Sequence, residues 1–410
     1  MAADSLSAAG PAEAKIMAIE KTRRRRALGA NAVGIAMVAP LALFLLAAFF
    51  IPLAGMLFLS VDDRELAAVM PRTVAVLADW DGADLPQAAV FEAAGRDLVD
   101  ARTAKVAGTA ARRLGYESGE WRTIVQLTAR ALPRDSAAVS DWKSALTTAD
   151  AAWGKPDIWH ALARAKGPLT GLYLKSALGL QGGPDSAIYV NVLARTFGIA
   201  LSATAICIVL ALPAAYLLAS VGQVTANFLM LALLLPLWTS VLVRSTSWLV
   251  ILQKNGIFNQ VLMGLGIIDA PLELVYNRVG VLIALTHILL PYAVLPLYAS
   301  MKALPRSQMQ AARSLGAGPL NSFFRIYLPQ ILPGISAGGL LVFILALGYY
   351  VTPLLLGGQG DQMLPFYIAY NTLQALNWGL AAALASILLF ATVILYSLYV
   401  RLVGVQRVGV

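Results

Sequence analysis

The chain has 410 residues, of which 59% are hydrophobic and only 13% charged, and its formal net charge is +9. An average soluble domain is roughly 45–50% apolar, so this composition excludes an ordinary soluble multidomain protein. The basic residues flank apolar runs, which favours membrane orientation over nucleic-acid binding as the reason for the positive charge. The sequence contains no GxxxxGK[ST] phosphate loop, no metal-ligand cluster and no nucleophile–base pairing. We therefore expect no catalytic residues, no metal and no cofactor.

Long uncharged stretches recur along the chain, and a spanning helix needs about 20 apolar residues. The uncharged run 196–243 would be roughly 70 Å long as one helix, so it must fold back, and the polar residues 220–225 are the place to turn. We predict an all-α polytopic membrane protein with about six transmembrane helices. The predicted spans are 31–60, 190–219, 227–252, 279–300, 333–355 and 379–400.

Charge bias predicts the orientation of these spans. Residues 1–30 contain four consecutive arginines at 23–26, and we expect this segment to form a cytoplasmic N-terminus. The apolar run that follows is longer than the 7–15-residue apolar region of a signal peptide, so it is interpreted as a retained helix. Residues 405–410 return to the cytoplasm, as does the basic loop 302–332, and the protein is expected in the bacterial inner membrane. The acidic Asp269, Glu273 and Asp361 then fall outside.

Residues 61–188 differ from the rest, because 62–187 contains 16 of the 22 acidic residues and 15 of the 31 basic ones. Such a nearly neutral, polar segment predicts an extracytoplasmic helical insertion. Asp141 precedes Trp142 as a helix cap, and Pro156 suits a first helical turn. The insertion could capture ligand, dock a partner or brace the bundle. Its tryptophans predict either a small core or an interfacial belt: Trp80, Trp121, Trp142, Trp153 and Trp159.

The loop 302–332 is the most informative segment. Pro305 can open a helix that Gly316 ends in a left-handed conformation, and Pro319 can open a second short helix running to about Tyr327. Pro333 then leads into the fifth span. This shape suits insertion of a helix into a groove of another protein, or contact of an amphipathic loop with anionic membrane lipid.

The same loop resembles the EAA loop of ABC importer permeases. The pattern EAA-x3-G-x9-I-x-L-P is matched throughout except that a glutamine replaces the usual glutamate. The matching residues are Gln310, Ala311, Ala312, Gly316, Ile326, Leu328 and Pro329. The resemblance implies that these residues form coupling helices that insert into an ATPase subunit. Gln310 removes the charge that an ionic contact there would use.

A wider resemblance, to spermidine/putrescine permeases, covers residues 189–401 and is clearest at 235–244, 290–298 and 351–358. It implies a five-helix permease core over residues 189–404 that works with a dimer of ABC ATPase subunits. It also implies a second permease subunit or a homodimer, and an extracytoplasmic solute-binding protein. The implied cargo is a polyamine or similar organic cation, although related permeases carry opines, iron or phosphonates. An ion-gradient-driven secondary transporter is the alternative class.

Candidate residues for the translocation pathway lie in the third span and at the outer end of the fifth: Trp238, Thr239, Ser240, Arg244, Tyr349, Tyr350 and Thr352. An intramembrane charge is costly and indicates function. Arg244 could therefore line the pathway, pair with Glu273 or Asp361, or extend to the outer interface. His287 could relay protons or form a helix contact. The predicted spans contain no acidic residue, so recognition of a polyamine would depend mainly on the binding protein.

Overall fold

The computed structural model describes residues 36–180 and 187–403. Within these ranges the fold is all-helical, and the only β-type pairing is an isolated bridge between Asp62 and Leu169. The chain divides into two units between Phe58 and Leu59. The first unit contains all but the last residue of helix α1, Ala36–Leu59, whose mean hydropathy of 2.5 suits a membrane span. The predicted start of this span, 31–35, lies outside the described residues.

The insertion forms a compact helical body with its own core. Trp153 and Trp159 are fully buried there, and their rings meet edge to face with centroids 5.1 Å apart. Trp142 is also buried, while Trp80 and Trp121 pack against the same core. The tryptophans therefore form a core rather than an interfacial belt. The helices are α2 Arg64–Val69, α3 Pro71–Leu77, α4 Ala88–Thr103, α5 Ala107–Gly115, α6 Gly119–Ala131, α7 Trp142–Ala149, α8 Pro156–Arg164 and α9 Leu172–Ala177.

Local signals explain where the helices of the insertion begin. The Asp141 carboxylate accepts hydrogen bonds from the backbone N–H groups of Lys143 and Ser144, as the predicted cap requires. Pro156 is the first residue of α8, where its missing N–H costs nothing. Both sequence predictions for these helix starts are confirmed.

The membrane bundle contains the remaining helices. They are α10 Ile188–Ser220, α11 Gln223–Leu234, α12 Val241–Leu252, α13 Ile257–Gly264, α14 Arg278–Ala303, α15 Arg306–Ser314, α16 Pro319–Leu347, α17 Val351–Leu356, α18 Leu364–Leu373 and α19 Trp378–Val403. With α1, five of the described helices are long and apolar enough to span a membrane, and a bent pair can supply a sixth span. The predicted turn at 220–225 is confirmed, because α10 ends at Ser220 and α11 begins at Gln223.

Helices α10, α14 and α16 form the centre of the bundle. Glycines on α16 allow close approach to α14: a Cβ added at Gly338 would lie 2.9 Å from the Ala293 carbonyl oxygen. One added at Gly334 would lie 3.0 Å from the Pro296 carbonyl oxygen. Small residues are typical of such membrane helix contacts because they let backbones approach.

Two predicted spans differ from the structure. The third, 227–252, is not one helix, because the chain bends by 98° between Gln223–Trp238 and Val241–Gly264. Pro236 lacks an N–H for the helical ladder, and the Ser240 hydroxyl accepts a hydrogen bond from Val243 N–H at 3.2 Å to start a new helix. The fifth predicted span, 333–355, ends at Leu347 instead of 355, because Gly348–Tyr350 interrupts the helix.

The insertion is attached to the end of the bundle. The Tyr116 hydroxyl donates a hydrogen bond to the Leu376 carbonyl at 2.9 Å. Tyr173 on α9 is buried beside Gly379 at the start of α19, where an added Cβ would lie 2.4 Å from the tyrosine ring. The insertion and the last membrane helix therefore share one contact surface.

Candidate coupling loop and translocation pathway

The candidate coupling loop begins with helix α15, which ends in a Schellman motif. Gly316 has φ +85°, its N–H donates to the Arg313 carbonyl, and the Ala317 N–H donates to the Ala312 carbonyl, each at 3.0 Å. These bonds satisfy carbonyls that the helix end would leave unpaired. A Cβ at Gly316 would meet no atom within 4 Å. Backbone conformation, not space, therefore requires glycine here.

Apolar side chains surround this turn in the isolated chain. Leu315, Leu320 and Phe324 are 88%, 73% and 60% exposed, and we call these three residues the turn patch. Within the motif, Gln310 and Ala311 are exposed whereas Ala312 is buried. Exposed apolar clusters of this kind are typical of protein or membrane contact surfaces.

The second half of the loop is not a separate short helix, which corrects the sequence prediction. Helix α16 starts at Pro319 and continues without a break to Leu347 in the membrane. Its residues Phe323–Tyr327 form a π-helical turn. Pro329 and Pro333 follow within the helix, and prolines remove backbone donors, which favours such local widening. Ile326 and Leu328 are half-buried, and Pro329 is exposed.

The candidate pathway residues occupy different environments. Trp238 is 79% exposed at the 98° bend, where Thr239 and Ser240 separate the two helices. Thr352 is buried and hydrogen-bonds Ser245, with 2.9 Å between their hydroxyl oxygens. Tyr349 packs against the bundle core, and Tyr350 is 39% exposed. The structure thus joins Thr352 to α12 but does not show all seven residues around one cavity.

Arg244 on α12 has buried Nε and Nη1 atoms without a hydrogen-bond partner among the described residues. Neither predicted carboxylate partner is seen to pair with it. Asp361 instead accepts a hydrogen bond from Arg278 Nε at 3.0 Å. The Arg244 charge is near enough to His287 and Tyr349 to interact with both electrostatically. Burying part of a charged group without a partner is costly, so Arg244 stands out among the described polar residues of the bundle.

His287 forms a contact between two helices. Trp248 Nε1 on α12 donates a hydrogen bond to His287 Nδ1 on α14 at 3.1 Å. Their rings also meet edge to face, with centroids 5.3 Å apart. This geometry supports the helix-contact interpretation of His287 over the proton relay.

Residues 192–404 match the sequence profile of the binding-protein-dependent transport system inner membrane component family. The chain belongs to this family. It is 37% identical over 196 residues to the spermidine/putrescine transport system permease protein PotB of Escherichia coli strain K12, covering 48% of this chain and 71% of the relative. It is 28% identical over 235 residues to the putative 2-aminoethylphosphonate transport system permease protein PhnU of Salmonella choleraesuis strain SC-B67, covering 55% and 79%.

A solved chain from a bacterial alginate ABC transporter is also similar, with a TM-score of 0.42 and 17% identity over 55% of this chain and 84% of that one. The family membership makes this protein a non-catalytic, multi-pass inner-membrane permease subunit of an ABC importer. The matched region begins after the insertion.

Sequence reasoning missed the bend at 239–240 and the continuity of α16. Pro236 followed by Ser240 is a breaker and an N-cap signal that indicates the bend. No local signal indicated that α16 is continuous, because the residue before a proline disfavours helix and the region contains Pro319, Pro329 and Pro333.

Proposed function

We propose that an ABC ATPase subunit covers the turn patch and drives this permease through the α15–α16 loop. The observation that carries the proposal is the exposure of Leu315, Leu320 and Phe324 around the left-handed Gly316. Helix-in-groove docking uses apolar anchors of this kind. The complete importer would contain an ATPase dimer, a second permease subunit or a second copy of this chain, and a solute-binding protein.

The continuity of α16 supports direct mechanical coupling. A displacement of Pro319 by the ATPase would be transmitted along one helix to Leu347, because a helix is stiff along its axis. Helix α16 packs on α14 through Gly334 and Gly338. Movement of the loop would therefore shift the centre of the bundle and alternate access to the pathway.

The test compares Gly316→Val with Gly318→Val. Valine at φ +85° is strained by about 1–2 kcal/mol or more, whereas a Cβ at Gly318 meets no atom within 4 Å and φ there is −63°. We expect both variants to insert into the membrane. In proteoliposomes containing the whole importer, Gly316→Val should hydrolyse ATP without matching uptake, and Gly318→Val should remain coupled. Normal ATP-dependent uptake by Gly316→Val contradicts the proposal.

We propose a polyamine as the solute. The similarity to PotB supports this substrate class. The described spans contain no acidic residue that would bind a polyamine inside the membrane. Selection would therefore take place on the solute-binding protein, and aromatic side chains such as Trp238 would offer cation–π contacts of about 0.5–2 kcal/mol in the pathway.

A solute with an anionic group is the second candidate, and the unpaired Arg244 guanidinium favours it. The similarity to PhnU provides an example of such a solute. Uptake of labelled spermidine and of labelled 2-aminoethylphosphonate by the reconstituted importer distinguishes the two. If the importer takes up spermidine but not the phosphonate, and the Arg244→Gln variant still takes up spermidine alone, the result supports the polyamine. Uptake of the phosphonate that Arg244→Gln abolishes supports the anion.

We also propose that the chain termini and the coupling loop are cytoplasmic and that the insertion is external. The cysteine introduced by Ser140→Cys in the insertion should react with a membrane-impermeant maleimide on spheroplasts. The one introduced by Ser314→Cys should react only after permeabilisation. Both serines are exposed, and the native Cys207 is buried, which keeps background labelling low. The opposite labelling pattern would overturn the orientation.

A further inference from the structure

A groove of about 980 Å³ opens beside the coupling loop. The ends of α10 and α14, helix α15 and the first turns of α16 line it. Its size is at the upper end of the range for small-molecule sites. The lining residues are Leu212, Pro213, Tyr216, Ala219, Ser220, Met301, Lys302, Leu304, Pro305, Gln308, Met309, Gln310, Arg313, Pro319, Phe323, Tyr327 and Gln330.

Among the residues whose side chains the structure describes, the charged ones that line the groove are Lys302 and Arg313, and none is acidic. Neither cation has a hydrogen bond or ion pair from its side chain within the described part of the chain. They belong to different elements, since Lys302 ends α14 and Arg313 lies in the last turn of α15. The groove therefore presents two uncompensated positive charges on two helices.

Apolar and aromatic side chains also line the groove. Tyr216 on α10 meets Tyr327 on α16 edge to face, with ring centroids 6.1 Å apart. Phe323 stacks on Tyr327 at 5.8 Å, and Leu212 and Pro213 extend the surface along α10 towards the membrane span. The groove thus combines an apolar surface, continuous with spanning helices, and two cations. This combination is complementary to a molecule with an anionic head and a hydrocarbon tail.

We propose that this groove binds one anionic phospholipid, with its phosphate between Lys302 and Arg313 and the upper part of its acyl chains along Tyr216 and Tyr327. The proposal is independent of the transported solute. Because Lys302 lies on α14 and Arg313 on the coupling helix, the bound lipid would link the base of the bundle to α15. The side-chain amides of Gln308 and Gln310 also line the groove and can donate hydrogen bonds to the headgroup.

The test measures lipid retention by the purified importer complex in detergent, using native mass spectrometry. The probes are phosphatidylglycerol and phosphatidylcholine with identical acyl chains, and inorganic phosphate is the soluble competitor. We expect preferential retention of phosphatidylglycerol. The double variant Lys302→Gln/Arg313→Gln should weaken its binding roughly 25-fold, about fivefold for each cation. The Lys302→Arg variant, which keeps the positive charge, should still retain phosphatidylglycerol.

Arg325→Gln is the matched control, because Arg325 is exposed in the same loop but does not line the groove. It should leave lipid retention unchanged, and thermal unfolding of each variant without added lipid verifies the fold. Equal retention by the double variant and the wild type overturns the proposal. An equal loss in Arg325→Gln also overturns it, since that result indicates non-specific attraction. Complete displacement of phosphatidylglycerol by inorganic phosphate would identify a soluble anion instead.

Discussion

At the scale of single residues, buried charges show how the insertion is held together. Asp63 and Arg113 are both almost completely buried, and the two arginine groups Nε and Nη2 donate to the two carboxylate oxygens, the second at 2.6 Å. Charge-assisted, two-pronged pairs of this type are geometrically specific. Removing one member leaves the other charge buried without full compensation, which is the expensive outcome.

Asp63→Asn should therefore destabilise the insertion by about 3–5 kcal/mol, because Arg113 keeps only a longer 3.4 Å contact with Glu117. The neighbouring change Asp62→Asn breaks a pair with the exposed Arg64 and should have a much smaller effect. Thermal unfolding of the detergent-purified protein, followed by intrinsic tryptophan fluorescence, measures both. Equal losses of stability would show that burial of the Asp63–Arg113 pair is unimportant.

Asp97 adds a pH dependence at the same scale. Burial raises the pKa of Asp97, although hydrogen bonds from the Thr73 N–H and hydroxyl oppose the shift. The native state then binds the proton more tightly than the unfolded chain, so this group's stabilisation is full below the unfolded pKa of about 3.9 and declines as pH rises through the folded pKa. The loss of stability of Asp97→Asn relative to the wild type should therefore shrink as the pH rises through that window. Unfolding midpoints of variant and wild type across the window test the sign, and a deficit that grows would contradict it.

At the scale of elements, the close contact between α14 and α16 depends on glycine, which has no side chain. A Cβ at Gly338 would lie 2.9 Å from a backbone oxygen of α14, which cannot move without shifting the helix. A Cβ at the adjacent Gly339 would make only ordinary contacts of 3.7 Å and longer with Ile208 and Thr204. The face of α16 at Gly338, which packs on α14, therefore does not tolerate an added methyl group. The face at Gly339, which packs on α10, does.

Gly338→Ala should lower stability by about 1–3 kcal/mol through overpacking. Gly339→Ala should be neutral or slightly stabilising, because alanine favours the helix over glycine. The two variants differ by one position and by the same methyl group, so their unfolding temperatures compare directly. Similar unfolding temperatures would show that α14 and α16 separate at little cost.

At the scale of the whole molecule, the insertion is tied to the bundle through α19. Tyr173 packs on Gly379, and Tyr116 bonds the backbone just before α19. This contact supports the bracing role among the three considered for the insertion. We therefore expect the insertion to move together with the last membrane helix.

Gly379→Ala should displace the Tyr173 ring and loosen this attachment. Hydrogen–deuterium exchange is expected to increase at Leu172–Ala177 and around residue 376, while the core of α8 stays protected. Gly360→Ala is the control, because its Cβ would meet no atom within 4 Å. Unchanged exchange in Gly379→Ala would contradict the attachment.

Local rules explain how much of this organisation was predictable. Charge-free lengths indicated the spans, and the Asp141 and Pro156 signals marked helix starts, because each depends on residues close in sequence. The Gly316 turn was predictable for the same reason, since only a left-handed residue completes the end of α15. The motif around it also led to the family, and the comparisons confirm that membership.

Tertiary structure alone decided the rest, because those features join residues far apart in the chain. Continuity of α16 across its prolines depends on packing against α10 and α14, which overrides the local preference for a break. The groove brings Tyr216 to Tyr327, and the insertion reaches Leu376 from Tyr116. The sequence by itself determined a polytopic permease with a glycine turn in its basic loop. Long-range packing determined how the helix after that turn joins the bundle, and which charged side chains lack a partner among the described residues.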